Sequence, residues 1–139
     1  MNYGLKALDL HTGQTLTLAE DTDANAAAAD MSAMIIGTGN LAIDAGTGAV
    51  SLSNSANDYS GETNVNVGTL RSESDNALGR TSQLNLADTT TFDLNGKTQT
   101  IVALNSAASS TLNINGGTLN VLSWVTPTNW VNTRVAMVR

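Results

Sequence analysis

Very short segments in which apolar and polar residues alternate constrain the fold of this chain more than any other feature. Side chains on a β-strand point alternately to its two sides, so each segment predicts a strand that is buried on one side only. Turn sequences such as Gly37-Thr38-Gly39-Asn40 and Asn115-Gly116-Gly117 separate the segments. The chain is therefore expected to be all-β. The alternating segments include Val50-Ser51-Leu52, Val65-Asn66-Val67, Leu84-Asn85-Leu86, Val102-Ala103-Leu104 and Leu112-Asn113-Ile114.

Leucines in similar surroundings recur 24 to 29 residues apart, which predicts an internal repeat of about 25 residues. A β-sandwich would need longer paired strands and aromatic core faces, but aromatic residues make up only 4% of the chain. A solenoid needs two or three very short strands per rung, stacked about 4.8 Å apart. The repeat favours the solenoid. The recurring leucines are Leu16, Leu41, Leu70, Leu94 and Leu119.

We therefore predict a right-handed, single-stranded parallel β-helix of about five rungs, a solenoid that occupies residues 1–121. Stacked aliphatic side chains are expected to fill its interior. The residues predicted to point inward are Leu16, Leu41, Ile43, Leu70, Leu94, Leu112, Leu119 and Val121.

Composition excludes several classes of function. A net charge of −6 argues against binding to nucleic acid or to anionic membrane surfaces. The chain has no cysteine, so disulfides, thiolate metal sites and cysteine nucleophiles are excluded. No stretch approaches the roughly 18 apolar residues that span a bilayer, so direct membrane insertion is not expected. The first residues lack the basic and apolar regions of a signal peptide, so we expect the chain to be either a piece of a larger protein or a truncated reading frame.

Residues 52–70 carry the most specific pattern in the chain. Leu52-Ser53 is followed by Asn57-Asp58-Tyr59-Ser60-Gly61-Glu62-Thr63, then by a valine strand, and then by Gly68-Thr69-Leu70. This order closely resembles the autotransporter-associated β-strand repeat, and the resemblance is strongest over residues 37–121. The residues on the matching positions, which we expect to be structural, are Asn57, Tyr59, Gly61, Thr63, Gly68 and Leu70.

Elementary chemistry suggests a role for each polar or small residue of this motif. Asn57 and Asp58 favour a turn by bonding to their own backbone. Gly61 can adopt a positive φ, and Gly68 lets the chain turn a corner. Tyr59 has an apolar body and a hydroxyl tip, which suits the shoulder of a rung.

The resemblance implies a stalk that a C-terminal outer-membrane barrel carries to the surface of a Gram-negative bacterium by type V secretion. Such passengers often support adhesion, autoaggregation or biofilm formation. The implied partners are host or bacterial surface proteins or glycans, and no cofactor is implied. The function expected from the resemblance is a structural or adhesive one without enzymatic activity. A passenger segment that only assists folding remains an alternative.

The pattern stops after Val121, and residues 122–139 contain both tryptophans and the only proline. One interpretation is an appended tail, for example from a shifted reading frame. The other is a cap, in which Trp124 and Trp130 cover the last rung. We expect such an apolar segment to favour self-association.

Candidate catalytic and metal-binding residues are few. His11 is the only histidine, and the absence of a nucleophile elbow around any serine indicates a surface histidine near a turn. The segment from Asp21 to Asn25 imitates the start of a calcium loop. However, Ala26 and Ser32 stand where glycine and glutamate are required, so a short helical turn through 26–29 is expected instead.

Acidic residues are candidates for a catalytic cluster, because some β-helices cleave polysaccharides. Asp93 is expected to point outward from its strand, and Glu73 and Asp75 lie in a loop near Arg71 and Arg80. A solvated salt-bridge cluster is the expected arrangement. A polysaccharide-acting β-helix enzyme of the lyase or hydrolase type is therefore kept only as an alternative function.

Overall fold

The computed structural model describes residues 7–19 and 29–122, and in addition the backbone of a strand at 135–137. All regular secondary structure in these residues is β-strand, and every pairing between strands is parallel. Parallel pairing of strands this short requires a chain that winds in one direction, which is the geometry of a solenoid. The strands are β1 (Ala7–Leu10), β2 (Thr15–Ala19), β3 (Ala29–Met31), β4 (Met34–Gly37), β5 (Asn40–Leu52), β6 (Asp58–Tyr59), β7 (Thr63–Ser72), β8 (Gln83–Leu86), β9 (Thr91–Asp93), β10 (Thr98–Ile101), β11 (Ala103–Ser106), β12 (Thr111–Asn113), β13 (Thr118–Val121) and β14 (Val135–Met137).

The strands form three faces. The first face contains β1, β4 and β6 and, beyond an interruption, β10, β13 and β14. The second face stacks β2, the first part of β5, the first part of β7, β8 and β11. The third face stacks β3, the second part of β5, the second part of β7, β9 and β12. The predicted parallel β-helix of about five rungs is confirmed.

The predicted spacing of about 25 residues is correct for Leu16 and Leu41, which are paired on β2 and β5, but it does not hold for the later rungs. Paired residues in the second half of the solenoid are mostly 20 or 21 apart, as in Thr91 with Thr111 and Asn64 with Asn85. The recurring leucines after Leu41 do not keep to its face: Leu41 is on the second face, Leu70 on the third and Leu119 on the first. Leucines recur at similar spacing without being equivalent because every face presents aliphatic residues to the same interior.

The core consists of aliphatic side chains stacked from rung to rung. Seven of the eight residues predicted to point inward are buried; Leu16 is half-buried and packs against the cluster. Phe92 and Tyr59 are also fully buried. Burial of this apolar surface, at about 25 cal/mol per Å², provides the main driving force for folding.

A corner between the second and third faces lies inside the long strands β5 and β7. The pairing of these two strands changes register between Ile43 and Ala49, where the chain bends. Gly68 lies at this bend with φ +83°, and a Cβ there would be 2.7 Å from that of Ala45. Gly68 thus occupies a corner that has no room for a larger residue.

The first face is interrupted by a turn at residues 75–80. Backbone hydrogen bonds still connect this turn to both neighbouring rungs: the N–H of Arg80 donates to Tyr59 O at 2.9 Å, and the N–H of Asn76 donates to Thr98 O at 3.0 Å. The rung is therefore continuous, although one of its three sides is not a strand.

Other sequence predictions fall partly or wholly outside the described residues. Residues 20–28, including Asp21, Asp23 and Asn25, are not described; the prediction of a helical turn is wrong at Ala29, which begins a strand. Trp124 and Trp130 also lie outside the described residues, while β14 pairs with β13. No helix suited to crossing a membrane occurs in the described part of the chain.

Candidate functional site

Asn57, the first residue of the motif, is buried and bridges three rungs. Its Oδ1 accepts a hydrogen bond from the N–H of Ile35 at 2.9 Å, and its Nδ2 donates to the carbonyl of Ala77 at 2.7 Å. The prediction that Asn57 bonds to its own turn is therefore wrong. The local bond is made by Asn54, whose Oδ1 accepts from the N–H of Ala56 at 2.8 Å.

Tyr59 begins a chain of buried hydroxyl groups. Its hydroxyl lies 2.6 Å from Oγ1 of Thr63, which lies 2.7 Å from Oγ1 of Thr81, and Thr81 donates to Leu78 O at 2.6 Å. Tyr59 is inside the solenoid and not on its shoulder as predicted. Desolvation raises the pKa of Tyr59 to about 12, although its hydrogen-bonding neighbours Thr63 and Thr81 oppose that shift.

Gly61 serves a different purpose from the one predicted. It is not among the described residues with positive φ. Instead, a Cβ at this position would overlap the carbonyl oxygen of Gly39 and lie 2.5 Å from Oδ1 of Asn40. Glycine is required here because two rungs approach closely. Leu70, the last motif residue, is fully buried in the third face.

Gln99 is a second buried amide, which sequence reasoning missed. Its Oε1 accepts from the N–H of Leu78 at 3.2 Å, and its Nε2 donates to Ser74 O at 2.8 Å. The available signal was the alternation in Thr98-Gln99-Thr100-Ile101, which points Gln99 to the same side as Ile101. The motif and Gln99 together form an internal framework that holds the rungs.

The outward side of the second face carries a row of amide side chains, which we call the asparagine ladder: Asn64, Asn85 and Asn105. These residues are in register on β7, β8 and β11. The Nδ2 of Asn85 donates to Oδ1 of Asn64 at 2.7 Å, and the Nδ2 of Asn105 donates to Oδ1 of Asn85 at 3.2 Å. Glu62 and Gln83 flank Asn85 and bond to it at 2.8 and 2.6 Å. The result is a flat polar surface linked from rung to rung.

The outward side of the third face carries charged residues in register. Ser51 donates to Asp30 at 2.7 Å, and Nε of Arg71 lies 3.3 Å from Oδ2 of Asp93. Asp93 was expected to be solvated, but its side chain is only 12% exposed. Arg71 covers it from the rung below, and the N–H of Asn95 donates to its other oxygen at 2.9 Å.

The expected salt-bridge cluster of Glu73 and Asp75 with Arg71 and Arg80 does not form, because Arg71 pairs with Asp93. Glu73 accepts a hydrogen bond from Asn95, and Asp75 accepts one from the N–H of Thr98. Arg80 pairs instead with Asp58 at 2.7 Å. Each of these carboxylates thus has a partner in a neighbouring rung. Within residues 7–19 and 29–122, no three His, Cys, Asp or Glu side chains come together as a metal site.

His11 lies at the turn between β1 and β2, as expected of a surface histidine. Its side chain is 74% exposed, and its Nε2 is 3.7 Å from a carboxylate oxygen of Asp9. The backbone N–H of His11 donates to Oε1 of Gln14 at 3.0 Å, which closes the turn. No serine hydroxyl is bonded to this imidazole in the described residues.

The fold places the chain among the parallel β-solenoids. No protein-family model matches the sequence, and no solved structure matches the chain. Two curated proteins of Escherichia coli strain K12 are similar to it. "Uncharacterized lipoprotein YdeK" is 51% identical over 121 residues, and "Uncharacterized protein YuaQ" is 44% identical over 123 residues; each alignment covers 87% of this chain. The chain spans 9% of the length of either relative.

Proposed function

We propose that this chain is a structural and adhesive segment of an autotransporter passenger, without enzymatic activity, that acts on the surface of a Gram-negative bacterium. The observation that carries the proposal is the parallel solenoid with the asparagine ladder on its outer side. A passenger stalk needs a stiff body, which the parallel solenoid supplies, and a repetitive outer surface, which the asparagine ladder supplies. The resemblance of residues 52–70 to the autotransporter-associated repeat supports the same conclusion.

Stiffness follows from the direction of the hydrogen bonds. In a parallel solenoid the backbone N–H and C=O groups bond along the long axis, and each rung adds about 4.8 Å. Side chains reinforce this direction, because Asn57 and Asn85 each bond to more than one rung. Bending the solenoid would stretch both sets of bonds at once.

Adhesion follows from the outer surface. The asparagine ladder presents amide groups that both donate and accept hydrogen bonds, on strands that hold them in line. Half-buried Asn64 and Asn85 and exposed Asn105 leave polar atoms accessible to a surface protein or glycan. The name of the relative YdeK, a lipoprotein, agrees with a location in the cell envelope. Exposure on the outer surface is part of the proposal.

Surface display is tested by placing an epitope tag in the exposed turn at Ala108-Ser109 of the full-length natural protein. Antibody should label intact cells as strongly as permeabilised cells. Labelling that requires permeabilisation would contradict the surface location.

Adhesion is tested in the same cells with the triple variant Asn64→Ala, Asn85→Ala and Asn105→Ala. The matched control is Thr100→Ala with Asn120→Ala, a polar pair on the outward side of the first face that is bonded at 3.4 Å. We expect the ladder variant to reduce cell aggregation or attachment while the control does not. Equal behaviour of both variants and the natural protein, at equal surface levels, would refute the adhesive role of the ladder.

A further inference from the structure

Two Asn-Gly turns stack directly on one another at the corner after the third face. In the first, the N–H of Lys97 donates to Leu94 O at 2.9 Å across Asn95-Gly96; in the second, the N–H of Gly117 donates to Ile114 O at 2.7 Å. Both asparagines and both following glycines have positive φ: 51° and 75° in the first turn, 44° and 82° in the second. The backbone of the two turns is therefore nearly the same.

The side chains of the two asparagines differ sharply. The Nδ2 of Asn95 donates to Ser72 O at 3.2 Å and lies 3.3 Å from Oε2 of Glu73, and the backbone N–H of Asn95 donates to Asp93. The Asn115 side chain is exposed and makes no hydrogen bond to any residue that the structure describes. Among the described residues, the Asn95 amide therefore has two hydrogen-bond partners and the Asn115 amide has none.

We propose that Asn115 is a site of spontaneous deamidation, with water as the only co-reactant, and that Asn95 is protected from the same reaction. The backbone nitrogen of Gly116 loses its proton and bonds to Cγ of Asn115. The bond from Cγ to the side-chain nitrogen breaks, and the side-chain NH2 group leaves as ammonia after taking up, through water, the equivalent of the proton that Gly116 lost. Water then opens the five-membered imide: attack at Cγ gives aspartate, and attack at the backbone carbonyl carbon gives isoaspartate.

The geometry explains the difference in reactivity. Attack requires the asparagine side chain to rotate towards the next backbone nitrogen, and glycine at that position offers no Cβ to obstruct it. Asn95 must first break its bonds to Ser72 and Glu73. The Glu73 carboxylate also opposes the negative charge that develops on the amide oxygen during attack.

The product would change the corner of the solenoid. Either product adds a negative charge beside the Asn95-Gly96 turn below. Isoaspartate also lengthens the main chain by one carbon between residue 115 and Gly116, two residues before Gly117, where a Cβ would already overlap the carbonyl oxygen of Lys97. The backbone N–H of Thr118 donates a hydrogen bond to Lys97 O at 3.1 Å. This is the first backbone hydrogen bond to the neighbouring rung after the altered turn.

The test is peptide mapping by mass spectrometry of the whole chain after incubation in mildly alkaline buffer made with heavy-oxygen water. Rates at the two asparagines are compared in the folded protein and in denaturant. We expect Asn115 to react about tenfold faster than Asn95 when folded, the factor that the loss of one or two ordinary hydrogen bonds would give, and at a similar rate when unfolded. Equal rates in the folded protein, or a faster Asn95, would overturn the proposal.

The variant Glu73→Ala tests whether Asn95 is protected from deamidation by its contact with Glu73 or by the conformation of its turn. Glu73 is exposed, so the fold should tolerate its loss. The rate at Asn95 should rise severalfold while that at Asn115 stays unchanged. An unchanged rate at Asn95 would show that the Glu73 contact does not protect it and would overturn that part of the proposal.

Discussion

Asn57 and Gln99 hold the two ends of one peptide group: Asn57 donates to the carbonyl oxygen of Ala77, and Gln99 accepts from the N–H of Leu78. This peptide lies in the turn that interrupts the first face, where no strand is present to continue the backbone hydrogen bonds. The two side-chain amides, which come from the rungs on either side, replace those bonds. Because every buried N–H and C=O group needs a partner, they allow a turn to exist within the stack.

Loss of the Asn57 amide should be costly. Asn57→Ala would leave the N–H of Ile35 and the carbonyl of Ala77 unpaired in a buried setting, at about 2–4 kcal/mol in the free energy of unfolding. Asn105→Ala, which removes one exposed contact, should cost less than about 0.5 kcal/mol. Urea unfolding measures both. If Asn57→Ala loses no more stability than Asn105→Ala, then water or a rearrangement supplies hydrogen bonds to the Ile35 N–H and the Ala77 carbonyl.

Tyr59 should make the protein less stable at alkaline pH. In the unfolded chain a tyrosine ionises at about pH 10, whereas burial raises the pKa of Tyr59 to about 12 in the folded state. Below pH 10 both states keep the proton, and the full stability is present. As the pH rises from about 10 to about 12, only the unfolded state is deprotonated, so about 2 kcal/mol of stability is lost.

The variant Tyr59→Phe isolates this effect. Its free energy of unfolding should decline less between pH 10 and 12 than that of the natural chain, because the other titrating groups are common to both. Identical pH profiles would mean that Tyr59 ionises as readily in the folded protein as in the unfolded one.

Gly61 should tolerate no side chain. Gly61→Ala places a Cβ against the carbonyl of Gly39, so the two rungs must separate locally, at about 3 kcal/mol. Gly13→Ala is the control: Gly13 has φ +84° and nothing within 4 Å of a Cβ, so only the left-handed conformation is penalised, at about 1 kcal/mol. Thermal unfolding should therefore show the larger decrease for Gly61→Ala. A larger decrease for Gly13→Ala would show that a positive φ, and not the close approach of Gly61 to Gly39, is the stronger requirement for glycine.

Removal of the Ser72 hydroxyl should stabilise the protein. Its Oγ is buried and has no hydrogen-bond partner in the described residues, and it stacks on Leu52 in the inner row of the third face. Ser72→Ala should stabilise the protein by about 1 kcal/mol. Ser110→Ala is the matched control: Ser110 is equally buried but donates to Ala107 O at 2.6 Å, so its loss should destabilise by about the same amount. Destabilisation by Ser72→Ala would indicate a partner for its hydroxyl.

The sequence by itself determined the architecture. Alternation in segments such as Leu84-Asn85-Leu86 separates the inner from the outer side of a strand, because successive side chains point in opposite directions. The shortness of the segments and the scarcity of aromatic residues favoured stacked rungs over a sandwich. These are local properties, and for this reason Leu41, Leu94 and Leu119 were correctly placed inside.

Only the tertiary structure decided which strand lies on which. All three faces have the same alternating pattern, so the sequence could not assign a leucine to a face, and the repeat was predicted as about 25 residues where neighbouring rungs in the second half are mostly 20 or 21 apart. The environments of polar side chains depend on this stacking. Asn57 binds two other rungs, and Arg71 covers Asp93, because residues about 20 apart in sequence become neighbours only when the rungs pair.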